Sequence, residues 1–152
     1  MASGGMMLRL GLAALVSGAA AGMLATLALF IGGLLFGSPG SWWAFAMLAD
    51  WLPIGFLAGL VIASLPAFFA GSSMWALGDD FPYARHPLAW AAAGAAVGGA
   101  LWSLFVLMLG TGGAGRLDAM DAALLAAGLV AGAGGALAFL GAMRLSGARQ
   151  RL

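Results

Sequence analysis

Polar residues punctuate the chain at wide intervals and leave four long apolar stretches between them. The first runs from Leu10 to Phe36, after Arg9 and before the turn Gly37-Ser38-Pro39-Gly40. The second runs from Pro53 to Leu77, between Asp50 and the Asp79-Asp80 pair. The third, Leu88 to Leu109, is entered through Pro87 and closed by Gly110-Thr111-Gly112-Gly113. The fourth, Ala122 to Met143, lies between Asp121 and Arg144. No charge falls inside any of them.

A helix of about 20 apolar residues crosses the ~30 Å hydrocarbon layer. Such a helix satisfies its own backbone polar groups, and these stretches lack the alternation of a barrel strand. The pattern therefore predicts an all-α protein: an integral membrane four-helix bundle, one polytopic domain over 1–152. Its spans are expected at about 10–36, 53–77, 88–109 and 122–143. The first stretch resembles a secretory leader in its charged start and its Ser17-Gly18-Ala19 site. Its apolar run is far longer than a leader's 7–15-residue core, so an uncleaved helix is expected.

Prolines refine the boundaries. Pro53 and Pro87 fall at or near expected first helical positions, where a missing N–H is harmless. Pro66 falls in the middle of the second span and predicts a kink, with neighbouring helices or Ser64 meeting the freed carbonyl.

Composition removes the alternatives. Of 152 residues, 64% are hydrophobic and 7% charged, against about 25% charged in an ordinary soluble domain. Disordered chains are poor in apolar residues, so disorder is excluded as well. The absence of Cys excludes disulfides, thiolate chemistry and iron–sulfur ligation. The absence of Lys excludes Schiff-base chemistry and Walker-type phosphate loops. The same bias, with Glu and Asn also missing, fits GC-rich bacterial coding and hence a bacterial cytoplasmic (inner) membrane. A net charge of +1 offers no concentrated basic surface, so no nucleic-acid partner is expected.

Arginine positions then set the orientation. Arg9, Arg85, Arg144, Arg149 and Arg151 fall on one side and Arg116 alone on the other, which predicts both termini in the cytoplasm. Trp42, Trp43 and Trp51 suit a headgroup-level belt on the opposite side, with room for a short interfacial helix.

Each span also carries two glycines four residues apart: Gly18 and Gly22, Gly55 and Gly59, Gly94 and Gly98, Gly128 and Gly132. Residues at i and i+4 share a helix face, so each pair makes a groove where another backbone can approach. Gly18-Ala19-Ala20-Ala21-Gly22 matches Gly94-Ala95-Ala96-Val97-Gly98, a pattern that two duplicated hairpins would produce.

Candidate chemistry is sparse. The stretch Gly78-Asp79-Asp80-Phe81-Pro82-Tyr83-Ala84-Arg85-His86-Pro87 holds two carboxylates, the only Tyr and the only His. Two Asp and one His are a partial metal-ligand set, and a His can pass protons near neutral pH. The plainer expectation is a solvated turn in which Asp79, Asp80, Arg85 and His86 contact a partner without bond chemistry. The glycine-rich stretch from Gly110 to Arg116 lacks the lysine of a phosphate loop and reads as a flexible hairpin.

The spans offer only hydroxyls as polar side chains: Ser17, Thr26, Ser64, Ser72, Ser73 and Ser103. An ionisable residue inside a span would mark function, and none is present. No cofactor and no catalytic residue is expected. Three functions remain: an accessory, scaffold or assembly subunit packed against other transmembrane helices; an oligomeric channel or facilitator for a small solute; and a membrane enzyme using the 79–86 loop. The partners implied are the lipid bilayer and other transmembrane helices, in a hetero-complex or a homo-oligomer.

Overall fold

The structure, a computed structural model, describes residues 3–36, 42–109 and 119–147. Its elements are α1 (Ser3–Phe36), α2 (Trp42–Ala58), a π-helical turn (Gly59–Ala63), α3 (Ser64–Asp80), a 3-10 turn (Pro82–Arg85), α4 (Pro87–Leu109) and α5 (Ala119–Leu145). Four helical stretches are long and apolar enough to cross a membrane: Gly4–Gly32, Leu48–Asp80, Pro87–Leu104 and Asp121–Leu145.

One boundary differs from the expectation. The elements α2, π turn and α3 join end to end into a single rod, 42–80, so Pro53 lies inside α2 rather than at a first position. The loop expected over 37–52 is helical from Trp42 onward. Asp50, read as a polar edge, is an exposed side chain on this rod. One outward-facing charge does not stop a helix rich in Ala, Leu and Met, which are strong helix formers. Pro87, by contrast, does open α4.

Pro66 follows the π turn by three residues. A proline lacks the N–H for the carbonyl one turn earlier, and its ring crowds that carbonyl. A widened turn just before it is one of the ways a helix absorbs this distortion.

The helices pack in the order rod, α1, α5, α4. Helices α1 and α5 run antiparallel through the centre: a Cβ on Gly135 would lie 3.2 Å from the Ser17 carbonyl, and one on Gly32 would lie 3.3 Å from Ala123. The two hairpins, α1 with the rod and α4 with α5, do not take equivalent places. The first helix of one, α1, is central, and the first helix of the other, α4, is at an edge.

Each outer helix meets its inner neighbour through reciprocal glycines. A Cβ at Gly18 would lie 2.5 Å from the Gly59 carbonyl oxygen, and one at Gly59 would strike the Gly18 oxygen in return. One turn along, Gly22 faces the Gly55 oxygen, and Gly55 faces both Gly22 and the Thr26 hydroxyl. Across α4 and α5, Gly94 and Gly132 face each other's carbonyl oxygens; Gly98 meets the Gly128 oxygen, and Gly128 lies against Trp102. No methyl group fits at any of these contacts.

The core lies at the end where α3 turns into α4, with Leu10, Ala13, Ala14, Trp75, Trp90, Phe139, Leu140 and Met143 packed together. Elsewhere large apolar side chains face outward, above all on the rod, where Val61 is 77% and Ile62 72% exposed. Polar side chains inside the helices turn to their own backbones: Thr26 donates to the Gly22 carbonyl, and Ser73 to that of Phe69.

The glycine geometry sets up a contrast. Gly22→Ala and Gly98→Ala should each lower stability in detergent by about 1–3 kcal/mol, the usual cost of overpacking. At Gly11 and Gly141 an added Cβ meets nothing within 4 Å. Alanine there should be neutral or gain up to about 1 kcal/mol of helix propensity. Thermal unfolding of the four variants checks this, and equal effects at all four would reject close approach as the reason for glycine.

Candidate functional site

The polar turn is built from backbone capping. Asp79 and Asp80 close α3 as exposed side chains, and Phe81 then leaves the helix in an extended conformation. Its N–H still donates to the Leu77 carbonyl at 2.8 Å. Pro82 starts the 3-10 turn, where its missing N–H costs nothing. Arg85, half-buried, folds back so that its Nε donates to the Gly78 carbonyl at 2.6 Å, satisfying an orphan acceptor at the end of α3.

His86 is exposed, and its Nδ1 accepts the Leu88 N–H at 3.2 Å. It thereby caps the start of α4 in the way a Ser or Asp side chain would. Among the described residues no three His, Cys, Asp or Glu side chains stand close enough to share a metal ion. Of the four candidates, two therefore serve the backbone, while Asp79 and Asp80 face solvent at the surface.

Behind the turn lies an aromatic seal. The Trp90 ring stacks on Phe139 at a centroid distance of 5.6 Å and an interplanar angle of 18°. Its Nε1 donates to the Ala84 carbonyl at 2.8 Å, which ties the first turn of α4 to the 3-10 turn. Phe139 also fills the space over Gly71 of α3, where a Cβ would come within 2.5 Å of the ring. At the edge, Arg144 Nη2 donates to the Arg85 carbonyl at 3.0 Å and fastens the end of α5 to the same turn. Rod, α4 and α5 thus converge at this end.

Away from the seal they separate. The rod and α4 flank the central pair with almost no direct contact, and between them opens a cleft of about 610 Å³ lined by all four helices. Its described lining is Ala, Gly and larger apolar side chains with two hydroxyls, Ser17 and Thr26, the indoles of Trp51, Trp90 and Trp102, and no ionisable group. The Thr26 hydroxyl is bonded to Gly22 of its own helix, and Ser17 is buried. The glycine pairs Gly22–Gly55, Gly94–Gly132 and Gly98–Gly128 all border this space. Such a surface can hold apolar groups by dispersion and shape; it carries nothing for acid–base or nucleophilic work.

The aromatics of the seal stand outside the candidate set, which holds ionisable residues and glycines. Trp75, Trp90 and Phe139 form the seal with Arg144, and the available signal was their position near the same end of three different spans. Asp121, which borders the fourth apolar stretch, is buried. It is 4% exposed in the first turn of α5, where the positive end of the helix favours a carboxylate. The stretch from Gly110 to Arg116 lies outside the described residues. Comparison with protein-family models, with curated proteins and with solved structures finds no match.

The seal should dominate the stability of this end. Trp90→Phe keeps a ring against Phe139 but removes the donor to Ala84, an expected loss of about 1 kcal/mol. Trp90→Ala removes the ring as well and should cost about 3–5 kcal/mol. Asp79→Ala and Asp80→Ala, at exposed positions, should stay within about 0.5 kcal/mol. Thermal or denaturant unfolding in detergent reads all four, and a Trp90→Ala loss no larger than that of the aspartates would dismiss the seal.

Proposed function

We propose that the chain is a non-catalytic, four-span integral protein of a bacterial inner membrane, an accessory or assembly subunit that packs against other transmembrane helices. The observation that carries this reading is the outward-facing apolar surface of the helices. On the rod, Val61, Ile62, Leu65 and Phe69 are all more than 60% exposed, a surface suited to lipid or to another apolar helix and not to water. Apart from Asp50 on the rod and Arg9 in α1, the described charged residues sit at or beside helix ends, and Arg85, His86 and Arg144 spend hydrogen-bonding groups on the backbone of the turn and its flanking helix ends.

Both termini are assigned to the cytoplasm, because Arg9, Arg85 and Arg144 gather at one end with Arg149 and Arg151 beyond. Phe81 and Tyr83, exposed on the turn with ring centroids 5.8 Å apart, suit the headgroup level of that side. The reciprocal glycines act as the packing surfaces within the bundle. A facilitator needs a path open at both ends, and the Trp90–Phe139 stack closes the cleft at one of them. That favours the subunit reading over transport.

Two measurements test it together. Reporters fused after Leu152 should be active only in cytoplasmic form, and those placed within 37–41 only in exported form. An exported C-terminus would overturn the topology. Extraction in mild detergent should bring down other membrane chains in fixed stoichiometry. A pure homo-oligomer instead would move the assignment to a facilitator.

A further inference from the structure

We propose that the cleft between the rod and α4 is a binding site for one acyl chain of a membrane phospholipid. The assignment rests on the membrane-spanning reading above and on three features of the cleft: its size, its chemistry and its closed end.

Size separates a hydrocarbon chain from a helix. Along α1 the lining runs from Ser17 to Leu29, and along α4 from Trp90 to Trp102; each is about 18 Å at about 1.5 Å rise per residue. The volume of about 610 Å³ lies within the range of about 300–1,000 Å³ typical of sites for small apolar ligands. If a methylene is taken as about as large as a water molecule, roughly 30 Å³, the cleft holds on the order of twenty of them, one chain and not two. A helix about 10 Å across fills about 120 Å³ per residue, so the same space takes about five residues, against the about 20 a spanning partner requires.

The chemistry agrees. The described lining offers no charge, and the Thr26 hydroxyl is already bonded within its own helix. A polar solute would leave most of its hydrogen bonds unmade there. In a bilayer the chain gains little from leaving other lipid tails, because those tails are as apolar as the cleft wall. Retention comes instead from dispersion: four helix walls touch the chain along its length, and an empty cleft forfeits those contacts.

The closed end decides the geometry of entry. Trp90 and Phe139 block the cleft below, and the 3-10 turn bridges α3 to α4 beneath them. The occupant therefore enters from the side, between the rod and α4, and a chain attached to a headgroup at the membrane surface can do so. A spanning partner helix would have to continue through the seal.

The test is native mass spectrometry of the full chain purified from membranes in mild detergent. One phospholipid should remain bound per chain. Ala93→Phe on α4 and Ala67→Phe on α3 each place a ring in the cleft and should reduce the lipid-bound fraction at least fivefold. Val130→Phe, on an exposed face of α5 away from the cleft, should leave that fraction unchanged. The wild-type arm stands even if a variant fails to fold: absence of bound phospholipid overturns the assignment. So does equal retention in all folded variants, which would mark belt lipid, and so does a peptide or a second copy of the chain in place of the lipid. Alkaline carbonate washing separates the two readings. A chain released by it would fall with the membrane assignment, whereas a resistant chain without phospholipid rejects the cleft site alone.

Discussion

The structure depends on how closely two helix backbones can approach. At the reciprocal glycines, a carbonyl oxygen of one helix occupies the place where a side chain of its neighbour would begin. That distance permits backbone Cα–H to carbonyl contacts, which recur at helix interfaces and add a modest attraction. It also permits dispersion over the whole length of the interface. The rod is locked to α1, and α4 to α5, by the same device in two places. The two locked pairs then join through α1 and α5, which leaves the rod and α4 apart. The cleft is a by-product of this order of packing.

The two ends of the molecule divide the work. At one end large side chains converge and three polar side chains hold the turn: Arg85 on Gly78, Arg144 on Arg85, Trp90 on Ala84. Among the described residues no buried side-chain nitrogen or oxygen lacks a partner, so no stored polar strain remains to be released by a ligand. Beyond the seal the packing is made by small residues, and the space they leave is apolar. A described lining with no ionisable group selects mainly by shape.

How much of this could be read from residues alone follows from what each signal measures. Apolar length reports helix existence, and all four long helices were readable from it. It does not report where a helix begins when a lone charge points outward, so Asp50 and Pro53 hid the first eleven residues of the rod. Spacing reports which glycines share a face, and those positions were visible; which face meets which was not, because four grooves on four helices can pair in several ways. The cleft depends on the packing order rod, α1, α5, α4, a property of the assembled set and of no single segment. Trp90 and Phe139 stand 49 positions apart in the chain, and nothing local announces that they stack.

The central place of α5 bears on how the molecule forms. Helices leave the ribosome in chain order, N-terminal parts first. The rod can lock onto α1 as soon as both exist, since Gly18 and Gly22 meet Gly59 and Gly55 without help from later segments. Helix α4 has no such neighbour among the described residues, because its packing surface belongs mainly to α5. Until the last helix arrives, α4 stands beside a finished pair with its glycine face uncovered and with Trp90 lacking Phe139. Arg144, almost the last described residue of α5, then ties the turn shut. Helix α5, which follows the other three in the chain, is thus the one that turns a hairpin and a loose helix into a single body.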